Sequence, residues 1–382
     1  MKLTKLTIRG FRSLKDVTWQ PGSLNVVIGP NGSGKSNLIK TLEMISLSAR
    51  SKLSDQVLRE GGMESLVWDG RTAARLSFQI HLLNYGTYHL DLTRLGVSSA
   101  YRIEEELLTL DPGERLTLKQ TPETATLYEP NGTAQRERKF TIDKHPAESL
   151  LSSFAGPFTE QNEITEFQRI LAGWNLYQDF QTHRESVVRR APVSRHETQV
   201  AGDGSNLIQV LHTLYTNHRD FRRDLDLAIR AAFGDDFEEI VFPPDADQRI
   251  QLRLRWKSLQ RAQSAADLSD GTLRFLYLIA ILANPNPPAL IAIDEPETGL
   301  HPAMLPIIAE YAVEASLKTQ VIFTTHSAEL LNAFEETPTT TVAKWEAGQT
   351  RLQTLSGDTL QYWLQEYTLG KLFNSGTLEG LA

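Results

Sequence analysis

Apolar and polar residues alternate along much of the first half of the chain, which predicts β-strands with one buried face. The pattern runs through Leu3–Phe11 and Leu14–Trp19, and their short separation predicts a hairpin. It resumes at Leu76–Leu82, Tyr88–Leu92 and Tyr101–Leu110, with turn residues between the first two. The N-terminal part is therefore expected to be rich in antiparallel sheet.

The rest of the chain mixes shorter strands with helical periodicity. Strands are expected at 124–128, 140–142, 174–180, 237–242 and 250–256, and helices over 149–174 and 206–233. A polar stretch with one proline and two glycines, His183–Gly204, predicts a loop. Glu104, Glu105 and Glu106 alternate faces on a strand and are interpreted as an exposed edge. No heptad repeat is sustained, so no long coiled coil is expected.

An apolar run (Leu24, Val26, Val27 and Ile28) in the strand expected over Leu24–Ile28 leads into a glycine-rich loop with the sequence GPNGSGKS at 29–36. The loop fills the pattern G-x-x-x-x-G-K-[ST] at every fixed position. Its glycines let backbone N–H groups turn toward a polyphosphate, and the helix expected over Ser36–Ile45 directs its positive end at the same anion. Lys35 adds a charge for the phosphates, and the Ser36 hydroxyl can ligate Mg²⁺. The predicted nucleotide-binding residues here are Asn31, Gly32, Ser33, Gly34, Lys35, Ser36 and Asn37.

Two apolar strands later in the chain end in residues suited to phosphoryl chemistry. The strand at 290–294 ends in Asp294 and Glu295. Asp294 is expected to hold Mg²⁺, and Glu295 to polarise the attacking water as a general base. The strand at 321–325 is followed by His326, which can reach a γ-phosphate because ligands bind at the carboxyl edge of α/β sheets. The predicted catalytic residues are Glu295, His326 and Lys35.

A further motif, LSDGT at 268–272, leads directly into a helix expected over Leu273–Leu282. Ser269 and Gly271 at this helix start are typical of a second anion site, here without a lysine. Each later motif on its own has a simpler explanation as a capped helix or a strand end. Their occurrence together, in this order after a complete phosphate loop, favours a nucleotide site.

Composition narrows the class of protein. The chain has 382 residues, no cysteine and a formal net charge of −8. The lack of cysteine excludes disulfides and thiolate metal sites. The longest apolar run, Phe275–Ala283, is shorter than the ~20 residues of a membrane-spanning helix, and the N-terminus lacks a signal-peptide pattern. A soluble, cytoplasmic protein without membrane contact is therefore expected.

The negative net charge argues against indiscriminate nucleic-acid binding. A local stretch from Gln181 to Arg195 nevertheless carries four arginines against one acid, Glu185. The alternative for this stretch is a solvated loop with a few salt bridges. The candidate DNA contacts are Arg184, Arg189, Arg190 and Arg195.

Together, the segments GPNGSGKS, LSDGT, LIAIDEPETGLHP and VIFTTHS resemble the Walker A, signature, Walker B with D-loop and switch-histidine motifs of ABC-type ATPases. Within that class the chain is similar to the branch of RecF, the chromosome-maintenance (SMC) proteins and the OLD-family ATPases. TIRGFRSLKDV at the start, DGSNL at 203–207 and YTLGKLFNSGTLEG near the end extend the likeness over nearly the whole chain. The small stand-alone ATPases related to RecF and OLD proteins resemble it most.

The resemblance implies an α/β fold, namely the P-loop NTPase head of an ABC-type ATPase spanning residues 1–382. Its two half-sites would lie in 1–60 and 237–382. An antiparallel β lobe would occupy 61–148, and a helical insertion lobe 149–236. No long coiled coil is implied.

The same resemblance implies ATP and Mg²⁺ as ligands and an ATP-stabilised, head-to-head homodimer. Ser269 and Gly271 of one subunit would close over the γ-phosphate held by Lys35 of the other. In this signature, Asp270 stands for the more usual glycine and Thr272 for glutamine, which is interpreted as specific to the branch.

Two assignments carried over from relatives have alternatives. The Q-loop glutamine should follow a strand, which points to Gln178 or Gln181, and Gln181 is taken as the site candidate. Arg12, just after Phe11, is a candidate for contact with the adenine or ribose, or else a solvent-facing arginine at a strand end.

The motifs favour an ATPase that acts on or near DNA, in repair and recombination or in antiphage defence, driving a partner effector such as a nuclease or toxin. The alternative, an ATPase subunit of a membrane transporter, is disfavoured by the long segment between Ser36 and Leu268. A non-hydrolysing scaffold is disfavoured because the predicted catalytic and metal-binding residues are all present. No second carboxylate cluster suited to a two-metal nuclease is visible, and the segment after Ser327 is too short for a nuclease domain, so no DNA or RNA cleavage by this chain is expected.

Overall fold

The computed structural model describes residues 2–68, 74–96, 100–110, 116–122, 124–131, 134–140, 147–156, 162–334, 338–355 and 367–377. The strands in chain order are β1 Leu3–Phe11, β2 Leu14–Trp19, β3 Leu24–Ile28, β4 Arg75–Leu82, β5 Gly86–Arg94, β6 Tyr101–Leu110, β7 Leu116–Gln120, β8 Ala125–Asn131, β9 Ala134–Phe140, β10 Asn175–Tyr177, β11 Phe237–Val241, β12 Pro244–Asp245, β13 Arg249–Ile250, β14 Arg253–Trp256, β15 Gln263–Ser264, β16 Leu290–Asp294, β17 Gln320–Thr325, β18 Thr339–Glu346 and β19 Gln349–Thr354.

The helices are α1 Lys35–Ser48, α2 Leu53–Arg59, α3 Met63–Leu66, α4 Leu150–Ser153, α5 Asn162–Ala172, α6 Leu207–Asn217, α7 Arg219–Phe233, α8 Asp270–Leu282, α9 Leu305–Ser316, α10 Ala328–Asn332 and α11 Leu369–Asn374. Short 3₁₀ turns lie at Val187–Arg189, Ala246–Gln248 and Pro302–Met304. The longest described helix, α7, has 15 residues, and no described helix is both long and apolar enough to cross a bilayer.

The chain forms two compact units. The first comprises Met1–Trp174 and Thr339–Ser356, and the second comprises Asn175–Pro338 and Gly357–Leu381. The division into a head with an inserted β lobe and a helical lobe stays a prediction.

The main sheet of the first unit has eight antiparallel strands in the order β2-β1-β4-β5-β6-β7-β8-β9. The predicted N-terminal hairpin and meander are confirmed, and they are continuous because β1 pairs with β4. Alternating apolar residues face one core, where the rings of Phe11 and Phe78 meet edge to face at 5.5 Å. Trp19 is buried in the same unit, and its Nε1 donates to Thr341 Oγ1 at 3.0 Å.

The far end of this sheet differs from the sequence prediction. A strand was expected at 140–142; Phe140 is the last residue of β9, and residues 141 and 142 lie outside the described part of the chain. β9 reads AQRERKF, so it lacks apolar alternation, as is usual for a charged edge strand. β7 was not expected either. Edge strands of this kind carry little hydrophobic signal.

The expectation that Glu106 lies on an exposed edge is wrong, because its side chain is buried. It lies on β6, inside the sheet between β5 and β7. The carboxylate accepts from Tyr88 Oη at 3.0 Å and from the backbone N–H groups of Leu150 and Leu151 at 2.7 and 3.0 Å. Burial raises the pKa of Glu106 to about 7, against the lowering effect of these donors.

The first unit also contains the strand that leads into the phosphate loop. β3 runs parallel to β18, and β18 forms an antiparallel hairpin with β19. All five residues of β3 are buried, which explains why four of them are apolar. α1 follows β3 after the loop and packs against α2 and α5.

The second unit has a parallel arrangement of β10, β16 and β17, in that order. α8 and α9 pack against each other, and nearly every side chain of α8 is buried. α6 and α7 confirm the helical region expected over 206–233. β11, β14 and β15 form a small antiparallel sheet, and the single strand expected at 250–256 is divided between β13 and β14.

Candidate nucleotide site

The phosphate loop connects β3 to α1 in the first unit, as predicted. Gly32 and Gly34 have left-handed φ angles of 80° and 98°, which residues with a Cβ rarely adopt. Gly34 is the N-cap of α1, and no side chain caps this end of the helix. The start of α1 therefore presents N–H groups for an anion.

Two residues outside the glycine motif hold the loop in place. Thr350 Oγ1 donates to the carbonyl oxygen of Ser33 at 2.8 Å and lies within hydrogen-bond distance of Ser13 Oγ, at 2.7 Å. Ser13 Oγ also accepts from Asn37 Nδ2 at 2.8 Å. A Cβ added at Gly34 would collide with Thr350 Oγ1 and Ser13 Oγ. Sequence reasoning missed Ser13 and Thr350, which lie far from the motif in the chain.

Lys35 is buried, and its ammonium donates to the carbonyl oxygens of Gly29 at 2.7 Å and Pro30 at 3.1 Å. Ser33 Oγ is buried without a hydrogen-bond partner in the described structure. Asn31, Gly32 and Ser36 are exposed. A cation, a spare hydroxyl and an uncapped helix end in one exposed loop fit a polyphosphate, with Ser36 available to a divalent metal.

Arg12 directly follows β1 and is in the left-handed region, with φ 48°. Its guanidinium pairs with Glu60, which also accepts from Lys40 Nζ at 3.0 Å. Burial acts to raise the pKa of Glu60, but the hydrogen bonds and charges of Lys40 and Arg12 outweigh it and lower that pKa. Arg12 is thus held by an ion pair, and its contact with adenine or ribose stays a prediction.

The second unit brings the predicted acids and histidine to one sheet edge. β16 and β17 are parallel neighbours, with Asp294 opposite Thr324. The Thr324 hydroxyl donates to Asp294 Oδ1. Glu295 has a left-handed φ of 49°, held by its N–H bond to the carbonyl of Thr324 at 3.0 Å. His326 Nδ1 lies 3.0 Å from Glu295 Oε1. Backbone strain at such a residue is typical of a functional site.

A third carboxylate, Glu297, supports this edge and was missed from the sequence. Its side chain is only 9% exposed. Oε1 accepts from Thr325 Oγ1 at 2.5 Å and from the His326 backbone N–H at 3.4 Å. Burial raises the pKa of Glu297. The signal in the sequence was its position two residues after Glu295, in the segment DEPE.

The signature residues lie at the start of α8. Ser269 is the N-cap, and its Oγ accepts from the N–H of Thr272 at 3.1 Å. A Cβ added at Gly271 would lie 2.8 Å from the carbonyl oxygen of Gly299, so glycine is required for this close approach. Arg274, also missed from the sequence, donates to the carbonyls of Thr298 at 2.9 Å and Phe180 at 3.1 Å.

The two Q-loop candidates have different surroundings. β10 lies beside β16, and Gln178, just after β10, lines a narrow cleft with Arg274, Asp294 and Glu295. Gln181 is exposed, with its Oε1 3.3 Å from the ring of His183. Gln178 is the better placed of the two, and the identity of the Q-loop residue stays a prediction.

The four arginines proposed as DNA contacts are not equivalent. Arg184, Arg190 and Arg195 are exposed. The side chain of Arg189 is only 8% exposed, and it pairs with Asp270 at 2.5 Å. The prediction that Arg189 contacts DNA is therefore wrong, because its guanidinium is held inside the unit by hydrogen bonds.

Comparison with known proteins supports the fold. The solved structure described as "Crystal structure of the SmcHead bound to the C-winged helix domain of ScpA" matches with a TM-score of 0.59 at 15% identity. The match covers 95% of this chain and 100% of that one. At this identity the likeness establishes the fold, which is that of an SMC head.

The curated relatives match over short segments. A chromosome partition protein Smc from Thauera aminoaromatica is 35% identical over 77 residues, which is 20% of this chain and 6% of that protein. A DNA replication and repair protein RecF from Shewanella piezotolerans (strain WP3 / JCM 13877) is 39% identical over 61 residues, 15% of this chain and 17% of that protein. The chain thus spans less than a fifth of the length of either relative.

Fold, motifs and relatives define an ABC-type ATPase of the RecF/SMC kind. A family model matches residues 24–332, which is most of the chain. The chain belongs to that family, described as "AAA domain, putative AbiEii toxin, Type IV TA system".

Proposed function

We propose that this protein binds ATP with Mg²⁺ and hydrolyses it. The observation that carries the proposal is the edge formed by Asp294, Glu295 and His326, where Glu295 Oε1 lies 3.0 Å from His326 Nδ1. The phosphate loop, with the buried ammonium of Lys35, supports it from the first unit. Membership of an AAA-domain family supports an ATPase in general terms.

The proposed roles follow from the chemistry of each group. Lys35 and the N–H groups of its loop bind the phosphates, and Ser36 and Asp294 hold Mg²⁺. Bound Mg²⁺ supplies charge neutralisation at the phosphates. Glu295 accepts the proton of the attacking water as its oxygen bonds to the γ-phosphorus and ADP leaves. His326, hydrogen-bonded to Glu295, orients that carboxylate.

The proposed assembly is a homodimer that closes when ATP binds. Ser269 and Gly271 start α8 in a capped arrangement, and a helix start of this kind suits an anion. In the proposal, these residues of one protomer contact the γ-phosphate bound by the other. ATP binding then changes the shape of the dimer.

The proposed output is an action on or near DNA, delivered through a partner effector such as a nuclease or toxin. The relatives are named for chromosome partition and for DNA replication and repair, which supports the DNA part. The family description, which names a toxin of a type IV toxin–antitoxin system, supports the effector part and a role in defence. The exposed Arg184, Arg190 and Arg195 are the proposed DNA contacts.

The test is ATP turnover by two variants. Glu295→Gln should keep ATP binding and lose turnover by about 10²-fold, because the general base is removed. Lys35→Ala should lose ATP binding. Phosphate release and equilibrium binding of a fluorescent ATP analogue measure the two effects, with Glu314→Gln on the exposed face of α9 as the control. Parental turnover by Glu295→Gln would refute the assigned base.

A further inference from the structure

Arg189 is an unusual arginine for a surface loop, because its side chain is almost completely buried. Its guanidinium donates to five oxygen atoms within 3.3 Å. They are the carbonyls of Thr182 (2.7 Å), Ala265 (3.1 Å), Ala266 (3.3 Å) and Leu268 (2.6 Å), and Asp270 Oδ1 (2.5 Å). A planar fork with five N–H donors is suited to this task, and a lysine ammonium with three donors is not.

These acceptors belong to two separate segments of the second unit. Thr182 lies in the loop that begins after β10, four residues beyond Gln178. The other acceptors lie at 265–270, which leads into α8 and contains the signature serine, Ser269. Arg189 therefore fastens the loop after β10 to the start of the signature helix.

The ion pair with Arg189 explains why position 270 carries a negative charge. Asp270 stands where the resembling ATPases more usually have glycine, and in the described part of the chain its carboxylate pairs with Arg189. Its side chain is 66% exposed, so the ion pair alone contributes little. The carbonyl contacts are the stronger part, because removing the guanidinium leaves several carbonyls of a part-buried segment without their donor.

We propose that Arg189 is a positioning residue for the signature, and that Asp270 is its charged partner. This inference rests on the proposed ATPase function. Arg189 holds 265–268 so that the Ser269 cap and the close approach at Gly271 are maintained. Through Thr182 it also links the signature to the loop that contains Gln178.

A hydrogen-exchange experiment tests the structural part without relying on activity. The N–H groups of Thr272 and Leu273 bond to Ser269 Oγ and O, each at 3.1 Å. In Arg189→Ala, exchange of these two amides should be at least five-fold faster, while exchange over Leu276–Leu282 stays at the parental rate and shows that the unit is folded. Arg219→Ala, an exposed arginine of the same unit, is the matched control and should exchange like the parent.

Kinetics test the positioning role. Arg189→Ala should lower kcat at least ten-fold and leave the Kd for ATP unchanged, because the phosphate loop is intact. Asp270→Gly should lower kcat less, since four carbonyl contacts remain. Arg189→Lys should fall between Arg189→Ala and the parent, because one ammonium replaces part of the fork.

The outcomes separate this inference from the proposed function. A parental protein without ATP turnover refutes the function, and amide exchange then decides the role of Arg189 alone. With an active parent, a kcat for Arg189→Ala within two-fold of the parental value overturns the inference. Unchanged exchange at Thr272 and Leu273 overturns it as well.

Discussion

At the scale of single residues, Glu106 is the most consequential side chain outside the nucleotide site. It is buried inside a sheet, where it accepts hydrogen bonds from one phenol and two backbone N–H groups. Burial raises its pKa to about 7, so the group changes charge near neutral pH. This property depends on the pairing of β5, β6 and β7, which the run of three glutamates could not reveal.

The raised pKa of Glu106 predicts a pH-dependent stability. The folded pKa of about 7 lies above the ordinary 4.5, so the folded state binds the proton more tightly. This contribution is complete below pH 4.5 and is lost as the pH rises through about 7. Between pH 5 and pH 8 the parent should lose roughly 2–3 kcal/mol of unfolding free energy from this group.

Urea unfolding of Glu106→Gln at both pH values measures that loss. The variant should show a smaller decrease than the parent, since the amide does not titrate. Glu105→Gln, at the neighbouring and more exposed position on β6, is the control and should keep the parental decrease. Equal decreases in Glu106→Gln and the parent would contradict the prediction.

At the scale of elements, the sequence was informative wherever one physical pattern decided the structure. The alternation of apolar and polar residues predicted the meander, and the glycine-rich loop after a mostly apolar strand predicted β3 and α1. Two apolar strands that end in polar residues predicted the sheet edge where Asp294 and His326 lie. Each of these patterns is local.

The elements that sequence reasoning missed depend on contacts between distant segments. Ser13, in the turn between β1 and β2, and Thr350, on β19, support the phosphate loop. Arg274 and Arg189 bind carbonyl groups, which no side-chain pattern records. β9 has a charged sequence, so hydrophobic periodicity could not locate it. The order of residues in the sequence does not show which backbone carbonyls accept a hydrogen bond or which residues are neighbours across strands.

The loop of 183–204 carries a prediction for DNA binding. Changing Arg184, Arg190 and Arg195 together to glutamate, with Arg189 kept, should weaken binding of duplex DNA at least ten-fold at low salt, because phosphate contacts are lost. Fluorescence anisotropy over a salt series measures the affinity and its slope. The control changes Arg219, Arg222 and Arg230 of α7 to glutamate, which alters charge equally elsewhere. Unchanged affinity in the loop variant would remove these residues as the DNA contacts.

At the scale of the whole molecule, the likeness to an SMC head extends over 95% of the chain, although identity is only 15%. The two proteins therefore share a fold although most of their residues differ, and core packing together with the few motifs of the candidate nucleotide site accounts for it. The proposed dimer makes each site depend on a second copy of the chain. A variant can thus lose turnover while its own phosphate loop remains intact.

The assembly prediction uses a charge at Ser269. Ser269→Asp keeps a good N-cap for α8 but places an anion where the γ-phosphate of the other protomer is proposed to bind. In a Glu295→Gln background with ATP and Mg²⁺, light scattering should detect dimer, and adding Ser269→Asp should shift the mass toward monomer with ATP binding near normal. Leu317→Asp, at a side chain that is 83% exposed, should leave the dimer intact. Only monomer in Glu295→Gln itself would count against a shared site.

Lys35 has a consequence for genetic work on this protein. Its ammonium bonds to the carbonyls of Gly29 and Pro30, so Lys35→Ala removes a support of the loop together with a phosphate ligand. Glu295→Gln keeps an oxygen at the position that His326 contacts. Under the proposed function, a cell carrying the Lys35 allele should therefore show the effects of a damaged loop as well as of lost nucleotide binding. The Glu295 allele should show the loss of turnover alone, so it distinguishes a protein that retains its nucleotide from a protein that is missing.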